Sequence, residues 1–284
     1  MGNSLAVAAH AGAASAPLGN AALFLQLAQG ENRFFYVVLA LLMGLGKGGV
    51  PGSSMMAVAL NAISAPDLPS VPGAPSGMDL ATVLQVPVTC ISDLVVVARN
   101  YKLVAWSAIP PLLSTTVIGI AAGQRLMGKI KPAMAKTLVG GVLTALIMLN
   151  LAITKITKAA TAGAKDDGKP PAYAKAWWFV GLVGVTGGFA TVLTNSMGPM
   201  LDIYLLTLKL DPFVQIGTRA AFFSLVNSIK LALFLSSGML SRGLLVLGAK
   251  LGVISVLGVL VAKPIVGTRC TTPHRTAQRE TTPR

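Results

Sequence analysis

Six ionisable residues, Lys47, Asp93, Asp202, Arg219, Lys230 and Lys250, stand inside long apolar runs of a 284-residue chain. A charge at the centre of a hydrocarbon layer costs about 2.5 to 3.5 kcal/mol on insertion scales, so each needs a partner, a route to the interface or a function. Lys47 has the most informative setting. It lies in Gly44-Leu-Gly-Lys-Gly-Gly-Val-Pro-Gly52, where glycines at 44, 46, 48 and 49 together with Pro51 would interrupt a helix. A half-helix starting near Pro51 would point its positive end at the gap, and N–H groups freed at Gly48 and Gly49 would join the Lys47 ammonium in attracting a small anion.

A second polar patch, Thr194-Asn-Ser-Met-Gly-Pro199, supplies uncharged donors. The Asn195 amide, the Ser196 hydroxyl and N–H groups around Gly198, ahead of the fixed turn at Pro199, can hydrogen-bond oxyanion oxygens and still permit release. Arg219 is a second cationic candidate. Asp93 is the candidate proton-coupling residue, because a low dielectric favours the neutral form of a carboxyl group and lets it take up and release a proton. Simpler readings stand beside these. The glycines can serve close helix packing, Pro199 a kink, and Asp93 an interfacial position or an ion pair with Arg99, six residues on. Lys230 and Lys250 fit snorkelling or helix pairing better than a site.

Other chemistries find no support. A phosphate loop needs Gly five residues before Gly-Lys and Ser or Thr after it, and here those positions hold Leu41 and Gly48. The two cysteines, Cys90 and Cys270, and the two histidines, His10 and His274, are too few and too scattered for a disulfide framework or a metal centre. No nucleophile and base pair is visible, so neither an enzyme nor a cofactor is expected.

The elements that position these residues follow from composition. The chain is 54% hydrophobic and only 11% charged, with a mean hydropathy of +0.71, where a soluble domain of this length would hold about a quarter charged residues. Crossing about 30 Å of hydrocarbon takes about 20 apolar residues per helix. Seven segments meet or approach that length: 34–63, 80–98, 103–124, 137–154, 176–208, 212–237 and 243–262. None alternates with period two, so helices are expected. The fold class is all-α, a polytopic transmembrane helix bundle whose first and fifth segments are broken by the two polar patches.

Matching breaks in two halves of a chain point to a binding site in a transporter. An offset of 148 places Lys47 on Asn195 and Pro51 on Pro199, while an offset of 134 places Asp93 on Asn227. The difference matches the Pro-rich loop at 64–77, so a single insertion reconciles the two. The expected organisation is therefore an unassigned segment at 1–33, a first repeat of about four helices at 34–154 and a basic loop at 155–175. A second repeat of about three helices covers 176–266, and a polar tail covers 267–284.

The net charge of +14 raises nucleic acid as a partner. Eleven of the 23 Lys and Arg residues, however, cluster between apolar runs, at 99–102, 125–136 and 155–175, which makes a lipid surface the better partner. The remaining expected partners are a small anionic substrate and possible further copies of the chain.

At its polar motifs the chain resembles the sulfite exporter TauE/SafE family of membrane permeases. The resemblance is carried by Gly44–Gly52, by Ser92-Asp-Leu-Val-Val-Val-Ala-Arg99 leading to Trp106, and by Asn195-Ser-Met-Gly-Pro199 with Ile203-Tyr-Leu-Leu206. Gly217-Thr-Arg-Ala-Ala-Phe-Phe223 and Val226-Asn227 complete it, within about residues 34 to 266. It implies a two-repeat permease, commonly of about eight spans, that exports sulfite or related organosulfur anions. An anion channel, or a structural or assembly protein of the membrane, are the alternatives. The chain departs from the family after its seventh segment, where a polar tail stands in place of a last apolar helix. The expectation there is either an altered gene end or an incomplete second half.

Overall fold

In the computed structural model the described residues are 16–126, apart from 31, 51, 67 and 69–74, isolated positions between 137 and 155, and 170–267. Among them every α-helix falls where the apolar runs place it, with one addition. That addition is α1 (Ala16–Gln29), in the segment the sequence leaves unassigned. It is held by Phe24, which is fully buried and meets the Tyr36 ring edge-on at 5.9 Å.

The first apolar run divides into α2 (Arg33–Lys47) and α3 (Ser53–Ser64), and the fifth into α6 (Trp177–Thr194) and α7 (Gly198–Thr207). Between them lie α4 (Gly77–Asn100) and α5 (Ile109–Leu126), and after them α8 (Pro212–Ser236) and α9 (Arg242–Gly267). Five helical stretches among the described residues are long and apolar enough to cross a membrane: Gly77–Leu103, Trp106–Leu126, Trp177–Thr194, Phe213–Ser236 and Arg242–Ala262. The chain is an all-α, multi-pass integral membrane protein. The expected span at 137–154 lies largely outside the described residues, as does the tail from 268.

Local chemistry sets the helix ends. Ser76 and Asp79 form a reciprocal capping box at the start of α4, and the Asp211 carboxylate accepts from the Phe213 N–H ahead of α8. At the end of α2, Gly49 takes φ 103°, a conformation that side-chain-bearing residues rarely adopt. The Gly49 N–H then donates to Gly46 O and the Val50 N–H to Leu45 O, which is the Schellman arrangement. Asn195 ends α6 in the left-handed region at φ 54°, a conformation Asn adopts more readily than most side-chain-bearing residues.

The bundle is apolar on both its inner and outer faces. Val246, Val253 and Leu257 of α9 and Leu94 of α4 point outward, and Trp106, Trp177 and Trp178 are exposed near helix starts, as expected at a membrane interface. The α4 helix is central, and every residue from Gly77 to Thr89 is buried. It packs against both α8 and α9. The two first half-helices pair crosswise in the chain, α2 along α9 and α6 along α5.

Both of those seams depend on absent side chains. A methyl group on Gly44 would overlap the Ser255 carbonyl oxygen of α9, and one on Gly188 would overlap the Thr116 carbonyl oxygen of α5. Small residues let backbones approach where no hydrophobic force drives helices together in lipid.

Candidate functional site

The two breaks open on one cavity of about 440 Å³. From the first come Gly46, Lys47, Gly49 and Gly52, and from the second Asn195, Ser196, Gly198 and Pro199. The α8 helix adds Arg219, Phe223 and Asn227 to the wall. Seven of the residues expected to bind substrate therefore share this wall: Lys47, Gly49, Asn195, Ser196, Gly198, Pro199 and Arg219. Gly48 does not reach it, since its α-carbon faces α9, where an added methyl would overlap Ala262. Pro51 lies outside the described residues.

The N–H groups expected to be free at the first break are committed elsewhere. Gly48, Gly49 and Val50 all donate back to α2 carbonyls, because a helix that ends in a Schellman arrangement satisfies its own last turn. Helix starts border the cavity instead, one turn later. Gly52 precedes α3, Ser54 belongs to its first turn, and both line the wall. Gly198 and Pro199 begin α7 on the opposite side. First-turn N–H groups have no partner within their own helix, so two positive helix ends meet at this cavity.

Each charge has a defined partner. Lys47 Nζ lies 2.6 Å from Asp93 Oδ1 and 4.2 Å from the centre of the Phe223 ring, an ion pair and a cation–π contact together. Asp93 is completely buried, and its other oxygen accepts from Asn227 Nδ2 at 2.7 Å. Its partner is thus Lys47 on another helix rather than Arg99 on its own. Arg99 is about one and two-thirds turns away, on a different face of α4, whereas the break in α2 brings Lys47 directly opposite.

Arg219 pairs with Asp202 of α7, and both line the cavity. This pair is far more open than the first, at 35% and 38% side-chain exposure against 15% and 0% for Lys47 and Asp93.

Lys230 does not snorkel. It is 1% exposed, and its ammonium donates to Asn195 Oδ1 at 2.6 Å, Thr191 O at 3.2 Å and Thr191 Oγ1 at 3.3 Å. Those three acceptors match the three donors of a charged lysine. Asn195 Nδ2 in turn donates to Gln85 Oε1 at 3.0 Å, which ties the second break to α4. Lys250 is exposed, in keeping with a lipid-facing or interfacial lysine.

Sequence reasoning missed Lys230, Gln85, Phe223 and Asn227 as parts of the site. Asn227 carried a signal in its match to Asp93, and Lys230 in being a charge within an apolar run. Phe223 carried a signal only in closing the Gly217–Phe223 motif, and nothing separates Gln85 from ordinary interior residues until the helices are packed.

A family model described as Sulfite exporter TauE/SafE matches residues 34–272. No curated protein and no solved structure matches the chain.

Proposed function

We propose that this chain, which belongs to the sulfite exporter TauE/SafE family, carries a small sulfur oxyanion such as sulfite or an organosulfonate across the bilayer through the cavity between its two helix breaks. The family is one of membrane transporters of sulfite and related anions, so a small anionic substrate and a lipid environment follow from membership. One observation carries the finer reading. Two half-helix starts and two cationic side chains, Lys47 and Arg219, share one cavity wall with the neutral donors Asn195 and Ser196.

Both cavity cations already have carboxylate partners, so an arriving anion must compete. Arg219 is the side chain it meets first, because its pair with Asp202 is the exposed one. Lys47 is held by Asp93, and its charge shapes the field of the site from behind. Asn195 is steered by Lys230 and Gln85, which fix both ends of its amide. Asp93 remains the proposed proton-coupling residue. Protonation there, once the anion has bound, would release Lys47 toward the substrate and join proton uptake to the transport step.

The crosswise seams α2 with α9 and α6 with α5, and the contact between the matched residues Asp93 and Asn227, support a two-repeat organisation. In such an arrangement alternating access is a rocking of one repeat against the other around the cavity. Reconstituting the chain in liposomes and following flux of sulfite, sulfate and small sulfonates, with and without a proton gradient, tests the proposal. Absence of flux for every anion would reject it.

A further inference from the structure

Asn227 is 2% exposed and stands at the cavity wall, yet its carbonyl oxygen has no hydrogen-bond partner among the described residues. Its orientation is not interchangeable. The neighbour is Asp93, which is ion-paired with Lys47 and as a carboxylate only accepts, so the amino edge of Asn227 must face it. That leaves an acceptor without a partner at the cavity wall, whereas the other acceptor there, the Asp202 carboxylate, is already paired with Arg219. A buried acceptor without a partner is costly, so a ligand that supplies a donor is favoured over one that does not.

The charges around the cavity are a second, independent observation. Lys47, Arg219 and Lys230 face Asp93 and Asp202, which leaves one positive charge in surplus when all are ionised. Among the described residues Lys230 has no carboxylate partner within salt-bridge distance, and it supplies that surplus through Asn195. One surplus charge neutralises a monoanion and leaves a dianion uncompensated in a low-dielectric setting.

From these two features we infer that the cavity selects a singly charged oxyanion that still carries a hydrogen, as in hydrogen sulfite, with Asn227 Oδ1 accepting that hydrogen while Arg219, Asn195 and the helix starts donate to the remaining oxygens. The inference rests on the anion-binding reading above and narrows it to one protonation class. Sulfite exchanges between its hydrogen-bearing monoanion and its dianion near neutrality, so the distinction decides which form moves.

Two probes separate the donor from shape and charge. Hydrogen methylphosphonate and methanesulfonate are both tetrahedral monoanions with one methyl group, and only the first bears a hydrogen on an oxygen. Calorimetric titration of the full-length detergent-solubilised chain, at a pH where the phosphonate keeps one proton, should show it binding roughly tenfold more tightly, the ratio for one satisfied hydrogen bond. In Asn227→Leu, which keeps bulk and removes the acceptor, the two affinities should come within about twofold. Equal affinities in the unaltered chain would overturn the inference and leave the anion site standing, and that comparison holds whether or not the variant folds. A tenfold preference that persists in Asn227→Leu would remove Asn227 from the role. Binding of neither probe would reject the anion reading itself.

Discussion

Lys47 Nζ lies 2.6 Å from Asp93 Oδ1, so the cation at the break of α2 is bound to the buried middle of α4. This relationship changes what a substitution at either residue reports. Loss of Lys47 removes a charge from the cavity and also strands a carboxylate that has no access to water.

Lys47→Met should therefore lower stability by about 3 to 5 kcal/mol, the cost of breaking a buried pair from one side. The double change Lys47→Met with Asp93→Leu should recover most of that loss. Thermal unfolding of the four proteins in detergent gives the coupling directly. A single Lys47→Met variant as stable as the parent would show that the pair contributes nothing. Lys47→Arg should keep part of the flux, because charge is retained while shape and donor geometry change.

Arg219 and Asp202 make the contrasting case, since their pair is open to the cavity. Removing the competing carboxylate by Asp202→Asn should tighten anion binding by roughly tenfold, on the scale of one charge-assisted hydrogen bond. Arg219→Met should weaken it by a comparable factor. Titration with hydrogen methylphosphonate measures both, and opposite signs for the two variants are required.

At the second break, Asn195→Ala should weaken anion binding by roughly 1 to 3 kcal/mol, as expected for a lost buried partner. It also deprives the Lys230 ammonium of its shortest acceptor. The effects of Asn195→Ala and Lys230→Met on stability should therefore fail to add, with a coupling of about 0.5 to 3 kcal/mol in a double-mutant cycle. Additive effects would mean that the contact carries no energy.

The helix seams predict which glycines tolerate a methyl group. Gly44→Ala and Gly188→Ala place a carbon against a backbone carbonyl of the neighbouring helix and should cut the yield of folded protein sharply. Gly181→Ala meets nothing within 4 Å and should change stability by no more than about 1 kcal/mol. Fluorescence-detected size-exclusion profiles of the three variants distinguish these outcomes.

The sequence by itself determined the placement of most of the described helices, because the free energy of putting a segment in hydrocarbon depends on that segment's own composition and length. It also located both breaks, since Gly49 and Asn195 carry their conformational permission in their own residue types. Pairing was decided only by the tertiary structure. Asp93 has Arg99 nearby in sequence and Lys47 far away, and the packing of α2 beside α4 gives it Lys47. Lys230 reads as a snorkelling lysine until α8 turns it inward onto Thr191 and Asn195. The N–H groups of Gly48 and Gly49 are held by α2 and the starts of α3 and α7 border the cavity instead, because backbone groups at a helix end are claimed first by the nearest carbonyls. Partition into the membrane is a sum over local contributions, whereas the partner of a buried charge depends on which faces of distant helices meet, and that is fixed only when they pack.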